Sequence, residues 1–329
     1  MQNLTTGNMR QGVAAAALIA ALVMPSFALA QSFPSQDIRL ICAFPPGSGS
    51  DVVVRYFAEK LKPIVKRNVL VENRPGAGGN LAMAYVVKQK PDGHVIYMHT
   101  GSAMSANMHL YKKPPIDAGK DFQVAATINR QGFMMTVPVK SKFKSVQELT
   151  AYLKEKGDKA SYAASATSGT VMGELYKSIT GVKAVEVNYR MAQDSLNDME
   201  SGRIDYGMHD PQFATAAMRS GKLRILGVAT GERMKFLPEV PTMAESGVTG
   251  MDLVGWFGAF VPTQTPKPVV AQINGWINEL LATPETVKFL NQFGGDPWIT
   301  TPEEGQAYLV NDIKRWGEYI RIAKVPQRG

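Results

Sequence analysis

Ile38-Arg39-Leu40-Ile41-Cys42-Ala43-Phe44, then Pro45-Pro46-Gly47-Ser48-Gly49-Ser50-Asp51, then Val53, Tyr56, Phe57 and Leu61: this run reads as a strand, a turn of small residues and a helix. The first seven residues are almost continuously apolar, as expected of a strand covered on both faces in a parallel sheet, and the last four recur at helical spacing. The same alternation continues down the chain. Strand-like stretches fall at Asn68 to Glu72, His94 to Thr100, Phe133 to Val137, Ala160 to Ala164, Ala184 to Tyr189, Ile204 to Met208 and Leu223 to Ala229, and Phe257 to Val261 is a short apolar run leading into the proline-rich stretch Pro262 to Pro268. Helices are expected after Gly79, after the Ser145-x-x-Glu148 capping box and after Ser168-Gly169. Three more close the chain, from Val269 to Leu281, from Thr283-Pro284 and from the capping box Thr301-Pro302-Glu303-Glu304. Such alternation means an α/β protein.

At 329 residues, 45% hydrophobic and 19% charged, the chain is too long for one compact domain and too ordinary in composition for disorder, so two globular lobes are expected. Lys and Arg number 36 against 28 for Asp and Glu, a net charge of +8 that suits an anionic partner but lacks the dense basic stripe of a nucleic-acid binder. A single cysteine leaves no internal disulfide, CxxC knuckle or iron–sulfur cluster, and Cys42, inside an apolar run, reads as a packed thiol. The four histidines (His94, His99, His109, His209) show no zinc-site spacing, so neither metal nor cofactor is expected. Residues 1–30 read as a secretory signal peptide: one basic residue (Arg10), an apolar run from Gly12 to Met24, and Ala28-Leu29-Ala30 at the end. That run is shorter than the roughly 20 residues that span a bilayer. Cleavage after Ala30 and a periplasmic location are the expectation.

Three segments are candidates for chemistry. Gly47-Ser48-Gly49-Ser50-Asp51 places backbone N–H groups and hydroxyls at the positive end of a helix, a geometry that holds a carboxylate or phosphate without a cationic side chain. A tight turn with Ser50 or Asp51 as helix cap has the same appearance. It is neither a Walker loop nor a GxGxxG motif. Ala163-Ala164-Ser165-Ala166-Thr167-Ser168-Gly169-Thr170 repeats the design, and two such turns facing each other across a cleft favour a binding role. The third is Asn188-Tyr189-Arg190-Met191-Ala192, where Arg190 is either a bidentate carboxylate clamp or a solvated arginine. Asp205, His209 and Asp210 invite a catalytic reading with Ser165 or Ser168, but there is no GxSxG elbow, and no catalytic residue is assigned. A secreted hydrolase and a ligand receptor for a sensor kinase stand as alternatives.

The chain resembles the Bug family, the extracytoplasmic solute receptors of tripartite tricarboxylate transporters. The matching stretches are Phe33-Pro34-Ser35, Phe44 to Asp51 with Arg55, Val71 to Asn80, Pro91-Asp92-Gly93, Gly221 to Arg224, Leu237 to Thr242, Glu245-Ser246-Gly247, Trp256-Phe257-Gly258 and Thr301 to Glu304. The resemblance implies a two-lobed Venus-flytrap fold of type II-like periplasmic binding proteins. Residues 32–131 and 252–329 would form one domain and 132–251 the other. It implies capture of a small carboxylate in the cleft and its delivery to a membrane permease. The family's cleft loops fall on Pro46, Gly47, Ser48, Gly49, Ser50 and Asp51 and on Ser165, Thr167, Ser168, Gly169 and Thr170. Its Tyr-Lys-Gly segment falls on Tyr189, Arg190 and Met191, with arginine for lysine and methionine for glycine. His209 and Asp210 lie where members of the family vary.

Overall fold

The computed structural model describes residues 33–165, 167–189 and 191–327, so the signal-peptide expectation for residues 1–30 and the clamp expectation for Arg190 lie outside the described residues. Two sheets organise the fold. One contains β1 (Ile38–Cys42), β2 (Val69–Asn73), β3 (Val95–Thr100), β4 (Phe122–Gly132), β10 (Val254–Pro262) and β11 (Gly295–Pro297), in the order β11-β4-β10-β3-β1-β2. The other contains β5 (Met134–Pro138), β6 (Ser161–Ala164), β7 (Val185–Asn188), β8 (Tyr206–His209) and β9 (Leu223–Val228), in the order β7-β6-β8-β5-β9. The helices are α1 (Gly49–Val65), α2 (Asn80–Val86), α3 (Gly101–Leu110), α4 (Ala118–Asp121), α5 (Val146–Lys156), α6 (Thr167–Thr180), α7 (Ser195–Glu200), α8 (Pro211–Arg219), α9 (Lys267–Leu281), α10 (Pro284–Gln292) and α11 (Pro302–Ile322).

Strand β1 behaves as its composition dictates. Ile38, Leu40, Ile41 and Cys42 are wholly buried, and β1 pairs in parallel with both β2 and β3. Its one cation, Arg39, bonds Glu72, the Tyr85 hydroxyl and Gln89. In the second sheet, β6 pairs in parallel with β7 and β8. The antiparallel members mark where the chain changes sheets. β4 runs against β10 over its whole length, and Phe133 alone separates β4 from β5. The return passage lies between Val228 and Val254.

The long strand β4 and helices α3 and α8 are not among the elements the sequence signals. β4 carries Gln123, Asn129, Arg130 and Gln131, which break its apolar run, yet Asn129 and Gln131 are buried. Helix α3 is built of small and polar residues and is buried on most sides, so it has no apolar stripe for periodicity to detect. Asp210-Pro211, which reads as a turn, is the cap and first residue of α8. The Thr301 to Glu304 capping box, by contrast, forms in full at the start of α11.

Packing around β6 and α6 gives a test. Gly173 lies inside α6, where alanine is ordinarily about 1 kcal/mol better than glycine. A Cβ at Gly173 would stand 2.2 Å from the Tyr162 ring, which is fully buried and whose hydroxyl donates to Glu174. Overpacking of this kind costs about 1–3 kcal/mol and outweighs the propensity gain. Gly173→Ala should therefore lower the urea midpoint with an unchanged m value, and a raised midpoint would show that the ring has room to yield.

Candidate functional site

Four helices begin directly beyond the C-terminal ends of strands: α1 after β1, α3 after β3, α6 after β6 and α8 after β8. Their first turns share the lining of one cavity of about 340 Å³. Ser50 comes from α1, Thr100 and Ser102 from the β3–α3 junction, Ser168 from α6, and Asp210, Pro211 and Gln212 from the β8–α8 junction. Gln131, Phe133 and Gly255 enter where the chain passes between sheets. Phe44, Leu110 and Trp316 supply apolar wall. Each helix start presents unpaired N–H groups and the positive end of its dipole, so the cavity favours an anion. Strand ends of open α/β sheets are where such folds bind ligands.

The first turn is held from beneath. Ser48, not Ser50 or Asp51, caps α1, its hydroxyl accepting the Asp51 N–H at 3.2 Å. The buried Asp51 carboxylate accepts from the Gly47 N–H (2.8 Å), Arg55 Nε (2.8 Å) and Asn73 Nδ2 (2.7 Å). Burial works against its charge, yet the bonds from Arg55, Asn73 and Gly47 prevail and hold its pKa below the usual carboxylate value. Asp51 and Ser48 thus fix the loop, and Ser50 is the member of Pro46 to Asp51 that lines the cavity. Gly49 also faces the other side of the cavity: a Cβ there would lie 2.5 Å from Oε1 at the tip of the Gln212 side chain on α8. The two sides of the cavity meet at this point.

In the second segment Ser168 lines the cavity, while Ser165 precedes α6, Thr167 opens it, Gly169 is buried in its first turn and Thr170 donates to Glu186. Of the third segment, the described flanks of Arg190 are Tyr189 and Met191. Tyr189 donates its hydroxyl to Asp198 at 2.8 Å, Met191 is 61% exposed, and neither lines the cavity. His209 is buried beneath the site, with Nδ1 paired to the Thr136 hydroxyl (2.8 Å) and Nε2 to that of Ser195 (3.2 Å). Burial pushes its pKa down to about 4. Asp210 caps α8 by accepting the Phe213 N–H at 2.9 Å and also lines the cavity; burial raises its pKa against the pull of the backbone N–H groups.

Thr100, Ser102, Asn107, Gln131, Gln212, Phe133 and Trp316 are lining residues that sequence reasoning missed. Thr100-Gly101-Ser102 carried a usable signal, since it repeats the small hydroxyl turn at the end of a recognised strand. Gln131 and Trp316 come from distant segments and carry no local signal. Cys42, expected as a packed thiol, is wholly buried in β1, and burial raises its pKa.

Two α/β lobes with a cavity at their strand ends are the arrangement of the periplasmic binding proteins. The family model described as tripartite tricarboxylate transporter family receptor matches residues 53–324, and the chain belongs to that family. A UPF0065 protein of Bordetella bronchiseptica is 30% identical over 321 residues, covering 96% of this chain and 95% of the relative. Among solved structures, R. palustris Rpa4515 with adipate superposes with a TM-score of 0.78 at 27% identity, covering 90% of this chain and 100% of that one. The periplasmic binding protein BugD gives a TM-score of 0.74, also at 27% identity and with the same coverage.

The buried histidines set an acid limit to stability. His99 packs against the cavity residue Phe44 with ring centroids 4.7 Å apart, and burial pushes its pKa down to about 3. The unfolded chain protonates both imidazoles near 6.5, so it binds more protons than the folded protein between there and 3–4, and stability falls as pH drops through that window. The slope should approach about 1.4 kcal/mol per pH unit for each histidine. Asp296 and Asp312, whose pKa values burial raises, act in the opposite sense at the acid end. Urea unfolding at pH 7.5, 6.5 and 5.5 should show this decline, and His209→Gln should flatten it by close to one proton. Parallel curves for variant and wild type would place the titration elsewhere.

Proposed function

We propose that this protein is an exported receptor that captures a small organic acid between its lobes and delivers it to the membrane subunits of a tripartite tricarboxylate transporter. The observation that carries the reading is the meeting of four helix starts, with Ser50, Thr100, Ser102 and Ser168, at one cavity. Hydroxyls and N–H groups in that arrangement hold a carboxylate by charge-assisted hydrogen bonds. The R. palustris relative, a structure with adipate, points to the same chemistry. Sheet membership supports 32–131 with 252–329 as one domain and 132–251 as the other, so that ligand capture proceeds by closure of one lobe on the other.

Residues 1–30 act as the signal peptide in this reading, with cleavage after Ala30 and a periplasmic mature protein. The protein works without a cofactor. Catalysis is not part of the proposal: both ring nitrogens of the buried His209 are paired, to the Thr136 and Ser195 hydroxyls.

A thermal-shift screen of mono-, di- and tricarboxylates should raise the melting temperature with at least one acid, because a ligand of the folded state stabilises it by mass action. Against that acid, Ser50→Ala or Ser168→Ala removes one hydrogen bond to a charged group, worth about 1.5–3 kcal/mol, so calorimetry should find roughly 10- to 100-fold weaker binding. Unchanged affinity in both variants would take these two turns out of the site. Hydrolysis of an ester or amide panel would restore the enzyme reading.

A further inference from the structure

Asp210 is the one charged side chain among the described residues that line the cavity. It sits at the head of α8, where burial raises its pKa while the helix start and the Phe213 N–H at 2.9 Å pull the other way, toward the anion that a cationic partner would complete. A cap on an open surface would be electrostatically indifferent to a ligand. This one shares a cavity of about 340 Å³ with the apolar side chains of Phe44, Leu110, Phe133 and Trp316, beside which charges are screened less than in bulk water. A space of that size leaves every polar group of a bound solute within electrostatic reach of the carboxylate. The starts of α1, α3 and α6, with Ser50, Thr100, Ser102 and Ser168, form an anion-accepting surface, and Asp210 adds a carboxylate to the same enclosure.

From this placement, and resting on the carboxylate-receptor reading above, we propose that the cavity selects a monocarboxylate that carries a nitrogen hydrogen-bond donor, best an ammonium group, on an apolar body. One end of the solute is held by the helix starts and hydroxyls, the nitrogen pairs with Asp210, and the body lies on Phe44, Phe133 and Trp316. A second carboxylate brought into the cavity meets Asp210 as a like charge, so dicarboxylates are disfavoured. The cap and the discriminator are then one side chain, whose orientation the helix fixes before any ligand arrives.

The test compares solutes that differ at a single carbon. On a benzyl body the set is 3-phenylpropanoate, phenylalanine and benzylmalonate; on an isobutyl body it is 4-methylpentanoate, leucine and isobutylmalonate. Calorimetry at pH 7.5 should rank the amino acid at least tenfold tighter than the plain acid, and the malonate at least tenfold weaker than it, on whichever body fits. Asp210→Asn keeps a side chain that caps a helix as well as aspartate, so the melting temperature of the free protein checks that α8 is intact. In that variant the advantage of the ammonium group should vanish, and the malonate should gain tenfold or more. Ser168→Ala should weaken all three members of a set together. The proposal is overturned by a malonate that binds tightest to the wild type, by three affinities that Asp210→Asn leaves unchanged, or by binding of adipate when none of the six solutes binds. The last result leaves the carboxylate-receptor reading standing. Failure of every acid to bind overturns that reading and this one together.

Discussion

Antiparallel pairing of β4 with β10, from Phe122 opposite Pro262 to Gly132 opposite Val254, is the constraint on which the rest of the structure depends. It ties the outgoing chain to the returning one in a single ladder that ends where the chain leaves the first sheet. Just beyond that end the Ala229 N–H donates to the Phe133 carbonyl, so the β5–β9 pairing of the second sheet begins at the one residue that separates it from the ladder. Two register shifts, between Phe257 and Gly258 and between Ala259 and Phe260, give the ladder the local twist that β-bulges impose. The same strand carries Trp256, fully buried, whose Nε1 donates to Asp312 of α11. The C-terminal helix is thereby bound to the ladder, and its Trp316 reaches the cavity from it.

Because the cavity's attraction for anions comes from helix starts, its strength depends on how rigidly those starts are held. Asp51 shows the method. Its carboxylate gathers the Gly47 N–H, Arg55 and Asn73 into one knot that joins the turn after β1, helix α1 and strand β2. A cation in the cavity would bind an anion more strongly but with less demand on shape. N–H groups and hydroxyls on fixed elements trade strength for direction, since each bond requires its acceptor at one place. The +8 net charge of the chain belongs to a different level: it biases the approach of anions over the surface and decides little inside the cavity.

The α/β class was legible in the sequence because β1 and α1 are extreme cases of their kinds, a strand without an exposed apolar edge and a helix with one clear apolar face. Strand β4 was not, since polar side chains interrupt its apolar run and what pairs them lies far along the chain, as when Gln123 Nε2 donates to the carbonyls of Thr263 and Thr265. Helix α3 escaped because burial on most sides erases amphipathicity. In the site, Ser50, Ser168 and Asp210 were legible as polar residues at the junction of a strand with a helix. Ser48, Asp51 and His209 belong to the same local patterns, but their side chains are consumed by internal hydrogen bonds, and no local pattern separates a hydroxyl or carboxylate turned inward from one turned to the cavity. Gln131 and Trp316 become neighbours of Ser50 only through the β4–β10 ladder and the packing of α11.

The lone thiol has a practical consequence. Cys42 closes β1, a strand paired on both sides, without solvent exposure and with its pKa raised by burial, so alkylating reagents meet little thiolate there. Any cysteine engineered on the surface is then the chain's sole reactive sulfur. A dye attached near the rim, where Gln212 comes up against Gly49, would report occupancy of the cavity as a change in fluorescence, and the protein could serve as a reagentless sensor for its own solute without prior removal of a native cysteine.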